Sequence, residues 1–562
     1  MPHRMAVCRI CSGELELRIR GNGAAPTAAL FSPSAHAVGE HGDLLECREC
    51  GTIQQPVLPQ GDALHDLYRD MRDDEYLAEE DGRRATANRL LDLIAAHRPT
   101  GRLLDVGCGH GLLLDEARRR GYDTVGLELS RETAAHARSL GLDVREVPLE
   151  AFTEGTNGDA PGAFDVVVLA DVIEHLDDPV AAIDQCAALL RPGGVLCVVT
   201  PDPASPTARL AGARWWGFLP AHTVLLPRRT LRELLSAAGL VISDDVPFVR
   251  TFAAKRWVGG LAERLPQGDR LSALADRLPP VKLSLSLGDE RVILAHRTPV
   301  RLAEQPLLQH SNGRAPIHVV LPAYKATRTI PDVVAEMPPQ AADHALLIDD
   351  ASPDETTDVA LLHGLDVLRH PANRGYGASQ KTGYTHALRA GAAVIVMVHA
   401  DNQYDPGLVA DMAEPILAGD ADVVIGSRLL VDRAVAGGMP RWKWVGNRLL
   451  TGIENAVFGV RFSEYHTGYR AFSADFLRSI PFLRNSDDFV FDQEIFAQVL
   501  ARKARVVEIP IPTRYFHEAS SVDFVTSLRY AFKTLWVLAR YRLDRRWALL
   551  RRPAAWLSPR DG

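Results

Sequence analysis

The chain has 562 residues, of which 46% are apolar, and a formal net charge of −8. That length exceeds one ordinary domain, and the apolar share supports several large cores rather than general disorder. The acidic balance gives no basis for a nucleic-acid partner.

No run reaches the ~18 apolar residues of a membrane span. The start, Met1-Pro2-His3-Arg4, leads to Cys8 without a signal-peptide core, which predicts a cytoplasmic protein. Residues 1–75 read as a small module with its lead-in, weakly periodic and rich in Cys, Gly and Ala over 1–55. Cys8-Arg9-Ile10-Cys11 and Cys47-Arg48-Glu49-Cys50-Gly51 form two Cys-x-x-Cys knuckles. Four thiolates on two turns can close a tetrahedral Zn²⁺ shell, which a module with little core needs. The 35 residues between the pairs exceed the usual ribbon spacing, and unmetallated thiols are the other reading. Cys108, Cys186 and Cys197 fall in apolar stretches and read as small core hydrophobes.

From 76 to 299, apolar runs at 102–106, 124–127, 165–170 and 194–200 alternate with helical stretches such as 83–96 and 181–190. This predicts a mostly parallel sheet with crossover helices, ended by a strand at 291–296. Leu103-Leu104-Asp105-Val106-Gly107-Cys108-Gly109-His110-Gly111 runs an apolar strand into a Gly-rich turn before a helix. Such glycines let the backbone approach a ligand, a geometry that suits a dinucleotide equally well. Asp105 at the strand end shifts the balance, because it repels a pyrophosphate and attracts a cationic amino-acid group. Glu128, ending Val125-Gly126-Leu127-Glu128, is placed to accept two ribose hydroxyls.

The segment from Asp105 to Gly111 resembles the first motif of the class I S-adenosylmethionine (SAM) methyltransferases. Phe164-Asp165-Val166-Val167, Asp171-Val172-Ile173-Glu174-His175-Leu176 and Leu190-Arg191-Pro192-Gly193-Gly194 resemble the later motifs in the same order. Trp215-Trp216-Gly217, His222 and the stretch 231–239 resemble a subgroup often preceded by a Cys-x-x-Cys zinc module. The resemblance implies that Asp105, Gly107, Gly109 and Glu128 bind SAM and that Asp171 lines the site. Methyl transfer from a sulfonium depends on proximity and in-line orientation. An acceptor that must lose a proton also needs a base, for which His175 and His222 are the candidates. Each is otherwise a structural hydrogen-bonding group.

A polar stretch, 298–314, reads as a linker, with the domain boundary at 300–314. A second alternating pattern then starts, with strands expected at 318–321, 345–348, 394–398 and 422–425. Two acidic clusters end two of these strands: Asp349-Asp350-Ala351-Ser352, and His399-Ala400-Asp401-Asn402-Gln403-Tyr404-Asp405. Carboxylates at strand ends converge on the crevice where α/β sheets bind ligands, and Mg²⁺ or Mn²⁺ on a diphosphate takes oxygen ligands.

The order resembles the family 2 glycosyltransferases of the GT-A fold, especially polyprenyl-phosphate sugar synthases of the dolichol-phosphate-mannose type. Leu321-Pro322-Ala323-Tyr324, Asp349-Asp350, Asn373-Arg374-Gly375-Tyr376-Gly377, Gly426-Ser427-Arg428 and Thr467-Gly468-Tyr469-Arg470 match in order. The resemblance implies nucleotide-sugar contacts from Pro322, Tyr324, Asp349 and Asp350, the last on the nucleoside. It places Asp401 and Gln403, with His399, around the metal, and Arg428 and Arg514 against phosphate charge. It also makes Asp492 of Phe491-Asp492-Gln493-Glu494 the candidate base, unless it is a helix-start acid. His399 stands where many relatives carry the first Asp of Asp-x-Asp; an imidazole ligates Mn²⁺ better than Mg²⁺, and the expected metal is either of the two. Lys325 stands where Asn is usual. Asp544-Arg545-Arg546-Trp547 only partly resembles the Gln-x-x-Arg-Trp segment of processive synthases, so one sugar per acceptor is expected.

Residues 524–542 interleave aromatic and basic side chains. They read either as a helix lying in a membrane interface, on the inner face and next to a lipid-phosphate acceptor, or as a helix packed on the domain. The expected fold class is α/β. It comprises a zinc-ribbon-like module (1–75), two Rossmann-like domains (76–299 and 315–522) and an amphipathic tail (523–562). The leading reading is a bifunctional methyltransferase and glycosyltransferase of glycan or glycolipid assembly. The second makes one half a non-catalytic binding or scaffold module.

Overall fold

The structure is a computed structural model that describes residues 7–22, 27–32, 41–56, 59–73, 76–154, 161–262, 281–308, 315–430, 441–512, 524–544 and 554–557. It divides into two compact units, Met1–Arg297 and Thr298–Gly562.

The strands of the first unit are β1 (Leu15–Ile19), β2 (Leu44–Cys47), β3 (Ile53–Gln54), β4 (Gly101–Val106), β5 (Tyr122–Leu127), β6 (Asp143–Arg145) and β7 (Phe164–Ala170). They continue with β8 (Leu190–Pro201), β9 (Val224–Leu225), β10 (Val241–Pro247), β11 (Arg250–Ala253), β12 (Lys282–Leu285) and β13 (Glu290–His296). The main sheet has the order β10-β13-β8-β7-β4-β5-β6. Its strands are parallel from β8 to β6, whereas β13 runs antiparallel to both its neighbours. Central strands such as β7 are apolar beyond Asp165 at its start because both faces are covered. The helix Glu80–Ala95 covers one face through Leu90, Leu91 and Ile94, which share a core with Leu103, Val166 and Val195. The strand expected to end this unit sits inside the sheet, with β10 outside it. Ser243, Asp244 and Asp245 break the apolar pattern of β10 and hid it from the sequence.

The cysteine-bearing segment is not a separate body. Its sheet has the order β1-β2-β3-β9, so its last strand comes from beyond residue 220. Leu44 and Ile53 share a core with Ala208, Trp215, Phe218 and Leu225. Trp215 is fully buried, and its indole N–H donates to Asp289 at 2.8 Å, as that of Trp216 does at 2.7 Å. The paired tryptophans thus fasten the module to the main sheet.

In the second unit the strands are β14 (Val300–Arg301), β15 (Ile317–Ala323), β16 (His344–Asp349), β17 (Asp366–Arg369), β18 (Val394–Met397), β19 (Val423–Ser427), β20 (Arg470–Ser473) and β21 (Val506–Pro510). Their order is β14-β17-β16-β15-β18-β20-β19-β21. Strands β15 to β18 are mutually parallel, β20 runs against β18 and β19, and β19 is parallel to β21. Strands β17, β20 and β21 are short and carry charged or polar residues, so the apolar pattern alone missed them. The start of the expected linker is structured: β14 pairs with β17, Ala303 N–H donates to Asp366 at 2.9 Å, and Leu308 is buried. Residues 309–314 lie outside the described residues.

The helix Phe524–Leu543 packs inward through Val537 and Tyr541 onto Val490 and Ala497. Among the described residues no helix is long and apolar enough to cross a membrane.

Candidate active sites

In the first unit, the carboxyl ends of β4, β5 and β7 bring together Asp105, the Gly107–Gly109 turn, Glu128 and Asp171. Gly107 has φ +70°, and a Cβ there would lie 2.6 Å from Val172 Cγ2, so the turn demands glycine. Glu128 holds this turn: its Oε2 accepts from Gly109 N at 2.8 Å and its Oε1 from Ser130 N at 2.7 Å. Asp105 is buried with Glu128 beside it. Burial, then the Glu128 charge, pushes the Asp105 carboxyl up to about 8. Burial raises Glu128 as well. Two buried acids at a Gly-rich turn make a site that favours a cationic ligand.

Asp171 has φ +57° and its carboxylate takes Arg250 at 2.7 Å on both oxygens; Arg250 also pairs with Glu290. Arg250 carried no signal in the sequence, being one arginine among many. His175 Nδ1 lies 3.1 Å from Ala221 O and 2.8 Å from Tyr68 Oη. His222 Nδ1 lies 2.6 Å from Gly217 O. A carbonyl only accepts, so Nδ1 carries the proton in each ring and Nε2 carries the lone pair. The rings stack edge to face with centroids 4.9 Å apart. Burial lowers His175 to about 4; burial, then its neighbour His175, lowers His222 to about 3. Both rings are neutral at physiological pH.

Cys8, Cys11, Cys47 and Cys50 are buried, with all four Sγ atoms within 4.8 Å of one another. Cys8–Cys50 is 3.6 Å and Cys11–Cys47 3.4 Å, near the ~3.8 Å edge of a tetrahedron with ~2.3 Å Zn–S bonds. Ile10 N and Glu49 N each donate to a sulfur at 3.4 Å, and Gln54 Nε2 donates to Cys8 at 2.9 Å. Donors aimed at sulfur suit thiolates, and the set fits Zn²⁺.

In the second unit, Asp401 follows β18, and Asp492 opens the helix Phe491–Ala501. Asp401 Oδ1 accepts from Gln403 N at 3.1 Å, and its Oδ2 lies 3.9 Å from His399 Nδ1. His399 Nε2 meets Tyr376 Oη at 2.8 Å, and that hydroxyl lies 3.4 Å from Asp492 Oδ2. Gln380 donates to Asp492 Oδ1 at 3.0 Å, and Arg470 lies 3.6 Å from the same oxygen. Asp401 and Asp492 are thus connected through His399 and Tyr376, with the Asp401–His399 step an electrostatic contact rather than a hydrogen bond. Only Nδ1 of His399 faces Asp401, so a metal there would meet that nitrogen. A Cβ on Gly468 would fall 2.0 Å from His399 Nε2, so glycine alone admits the ring. Tyr376, Gln380 and Arg470 were not expected here, although Tyr376 and Arg470 sit inside the quoted motifs.

Other expected site residues are differently employed. The Asp350 carboxylate is already hydrogen-bonded within the fold. It accepts from His370 Nδ1 (2.7 Å), Arg374 N (2.8 Å) and Gly375 N (2.7 Å), because the Gly-rich turn needs its amides satisfied. Asp349 is fully buried and accepts from Ser352 N and Thr357 Oγ1. Arg428 is buried against Glu464, which offsets its charge, and donates to His466 O at 2.8 Å. Pro322 lies in β15 opposite Ile348, and Tyr324 is half-exposed just beyond that strand. Arg514 lies outside the described residues.

A methyltransferase-domain family model matches residues 78–244, and the glycosyl transferase family 2 model matches residues 318–480. An uncharacterized protein of Methanocaldococcus jannaschii is 30% identical over 223 residues, 39% of this chain and 90% of that protein. A ubiquinone biosynthesis O-methyltransferase of Xanthomonas campestris is 37% identical over 131 residues, 22% of this chain and 55% of the enzyme. The chain thus spans about half the length of that methyltransferase. A UDP-N-acetylglucosamine–dolichyl-phosphate N-acetylglucosaminyltransferase of Methanococcus voltae is 26% identical over 216 residues, 35% of this chain and 86% of that enzyme.

Proposed function

Because the chain belongs to the methyltransferases through residues 78–244 and to the family 2 glycosyl transferases through residues 318–480, we propose that it is a bifunctional enzyme of glycan or glycolipid assembly. The first half transfers a methyl group from SAM to a polar, sugar-related acceptor. The second transfers one sugar, with inversion, from a nucleotide-sugar to an acceptor such as a polyprenyl phosphate.

For methyl transfer, the acid pair at the Gly-rich turn carries the reading. A sulfonium and an ammonium are cations, and buried Asp105 is the group they would ionise. The acceptor lone pair forms the new bond to the methyl carbon while the C–S electrons return to sulfur. The acceptor proton is assigned to His222 Nε2, with His175 beside it.

For sugar transfer, the chain Asp401–His399–Tyr376–Asp492 carries the reading. Asp401, Gln403 and His399 are the residues that would hold Mg²⁺ or Mn²⁺, which would stabilise the departing diphosphate. Asp492 would take the proton of a hydroxyl acceptor; a phosphate acceptor is already ionised and needs no base. Similarity to the dolichyl-phosphate enzyme favours a lipid phosphate. The exposed faces of Phe532, Leu535 and Trp536 on the C-terminal helix support a peripheral place on the inner, cytoplasmic face of a membrane.

Four outcomes are expected. Asp105 holds its proton at neutral pH and must release it beside a cation. SAM binding should therefore release close to one proton at about pH 7, and affinity should rise roughly tenfold per pH unit up to about pH 8. Calorimetry in buffers of different ionisation enthalpy reads this; no proton release and a flat affinity profile would sink the role. His222→Ala should slow methyl transfer at least about a hundredfold while SAM affinity changes little, and unchanged turnover disposes of the base. Asp401→Ala should abolish nucleotide-sugar turnover, whereas activity surviving in chelator overturns the metal assignment. Truncation after Asp523 should reduce co-sedimentation with anionic liposomes, and equal binding removes the membrane placement.

A further inference from the structure

We propose that Glu174, His175 and His222 form a second metal site, separate from the four cysteines, that takes a first-row divalent cation. One ligand atom from each residue lies within 4.8 Å of those of the other two. Both histidines present Nε2 lone pairs, because Ala221 O and Gly217 O hold the opposite nitrogens. Imidazoles anchored in this way by backbone carbonyls are oriented as ligands. Among the described residues neither Nε2 has a hydrogen-bond partner.

Glu174 is almost fully buried, and Thr200 Oγ1 donates to its Oε2 at 3.0 Å. The carboxylates that act on it, Asp171 and Glu290, have its own sign. The nearby cation Arg250 is committed to that pair. Glu174, His175 and His222 thus place three potential ligands together with no cation of their own. Two imidazoles and one carboxylate with open positions suit Mn²⁺, Fe²⁺, Co²⁺ or Zn²⁺ better than the all-oxygen preference of Mg²⁺ or Ca²⁺.

The cluster follows β7, on the same rim of the sheet as Asp105 at the end of β4. An ion there would hold an acceptor oxygen and make a bound hydroxyl more acidic. With an ion bound, this role would replace the free-base role: His222 Nε2 would be occupied as a ligand and the acceptor proton would leave to solvent. This catalytic part rests on the methyl-transfer reading; the site itself does not.

The full chain, stripped with chelator and titrated with Co²⁺, reads the site without any activity. Wild type should bind two ions per chain, one with the intense sulfur-to-cobalt band of the cysteines and one with weak visible bands only. Glu174→Gln and His222→Ala should each lose the second ion, or weaken it at least about a hundredfold, with the sulfur band unchanged. That band and the circular dichroism also report that the unit is folded. A single ion in wild type, or two tight ions in both variants, overturns the site. Methyl transfer at the full rate by wild type carrying one ion would overturn the catalytic part alone, leaving both the methyltransferase reading and the Co²⁺ test of the site intact.

Discussion

A parallel strand covered on both faces can carry a charged side chain only near its ends. Elsewhere the carboxylate would be stranded among aliphatic groups at a cost of several kcal/mol. Both units obey this constraint. Asp105 ends β4, Glu128 follows β5, Asp171 follows β7, Asp349 ends β16 and Asp401 lies beyond β18. These acids share the carboxyl rim, while Arg102, Asp123 and Asp165 stand at the opposite strand ends, because the middle of each strand admits no charge. Each half then surrounds its acids differently. The first leaves Asp105 buried without a cation, so its charge is deferred until something positive arrives. The second links Asp401 to Asp492 through a ring and a phenol.

The same rule explains why some acids are structural. A sharp turn at a strand end leaves backbone amides that need acceptors. Asp350 satisfies Arg374 N and Gly375 N, and Glu128 satisfies Gly109 N and Ser130 N. A motif acid can therefore shape a binding turn without touching the ligand. Arg428 shows the parallel case for a cation, since Glu464 neutralises it inside the fold.

The central strands and the Gly-rich turns were legible because continuous apolar runs leave few alternatives to a buried strand. The acids at their ends were legible from order alone. Strands β10, β17 and β20 were not, since their polar residues are stabilised by neighbours distant in sequence. What each acid is bonded to was equally hidden. Nothing in Asp349-Asp350 distinguishes a free carboxylate from one filled by His370 and two amides. Arg250 became visible only where β11 brings it against Asp171 and Glu290. The partnership between the tryptophans and the cysteine module was likewise hidden, because it joins residues far apart in the chain.

That partnership has a consequence for how the chain comes to be folded. The module's four cysteines are all made within the first 50 residues, yet its sheet takes its last strand from Val224–Leu225. During synthesis the knuckles therefore leave the ribosome long before the surface that completes them. Over that interval the pairing of β1 with β2 and of β2 with β3 holds the two turns near one another, and an ion on the four thiolates would add to that restraint. The module is in this sense a waiting half-interface, and Trp215 is the piece whose arrival closes it.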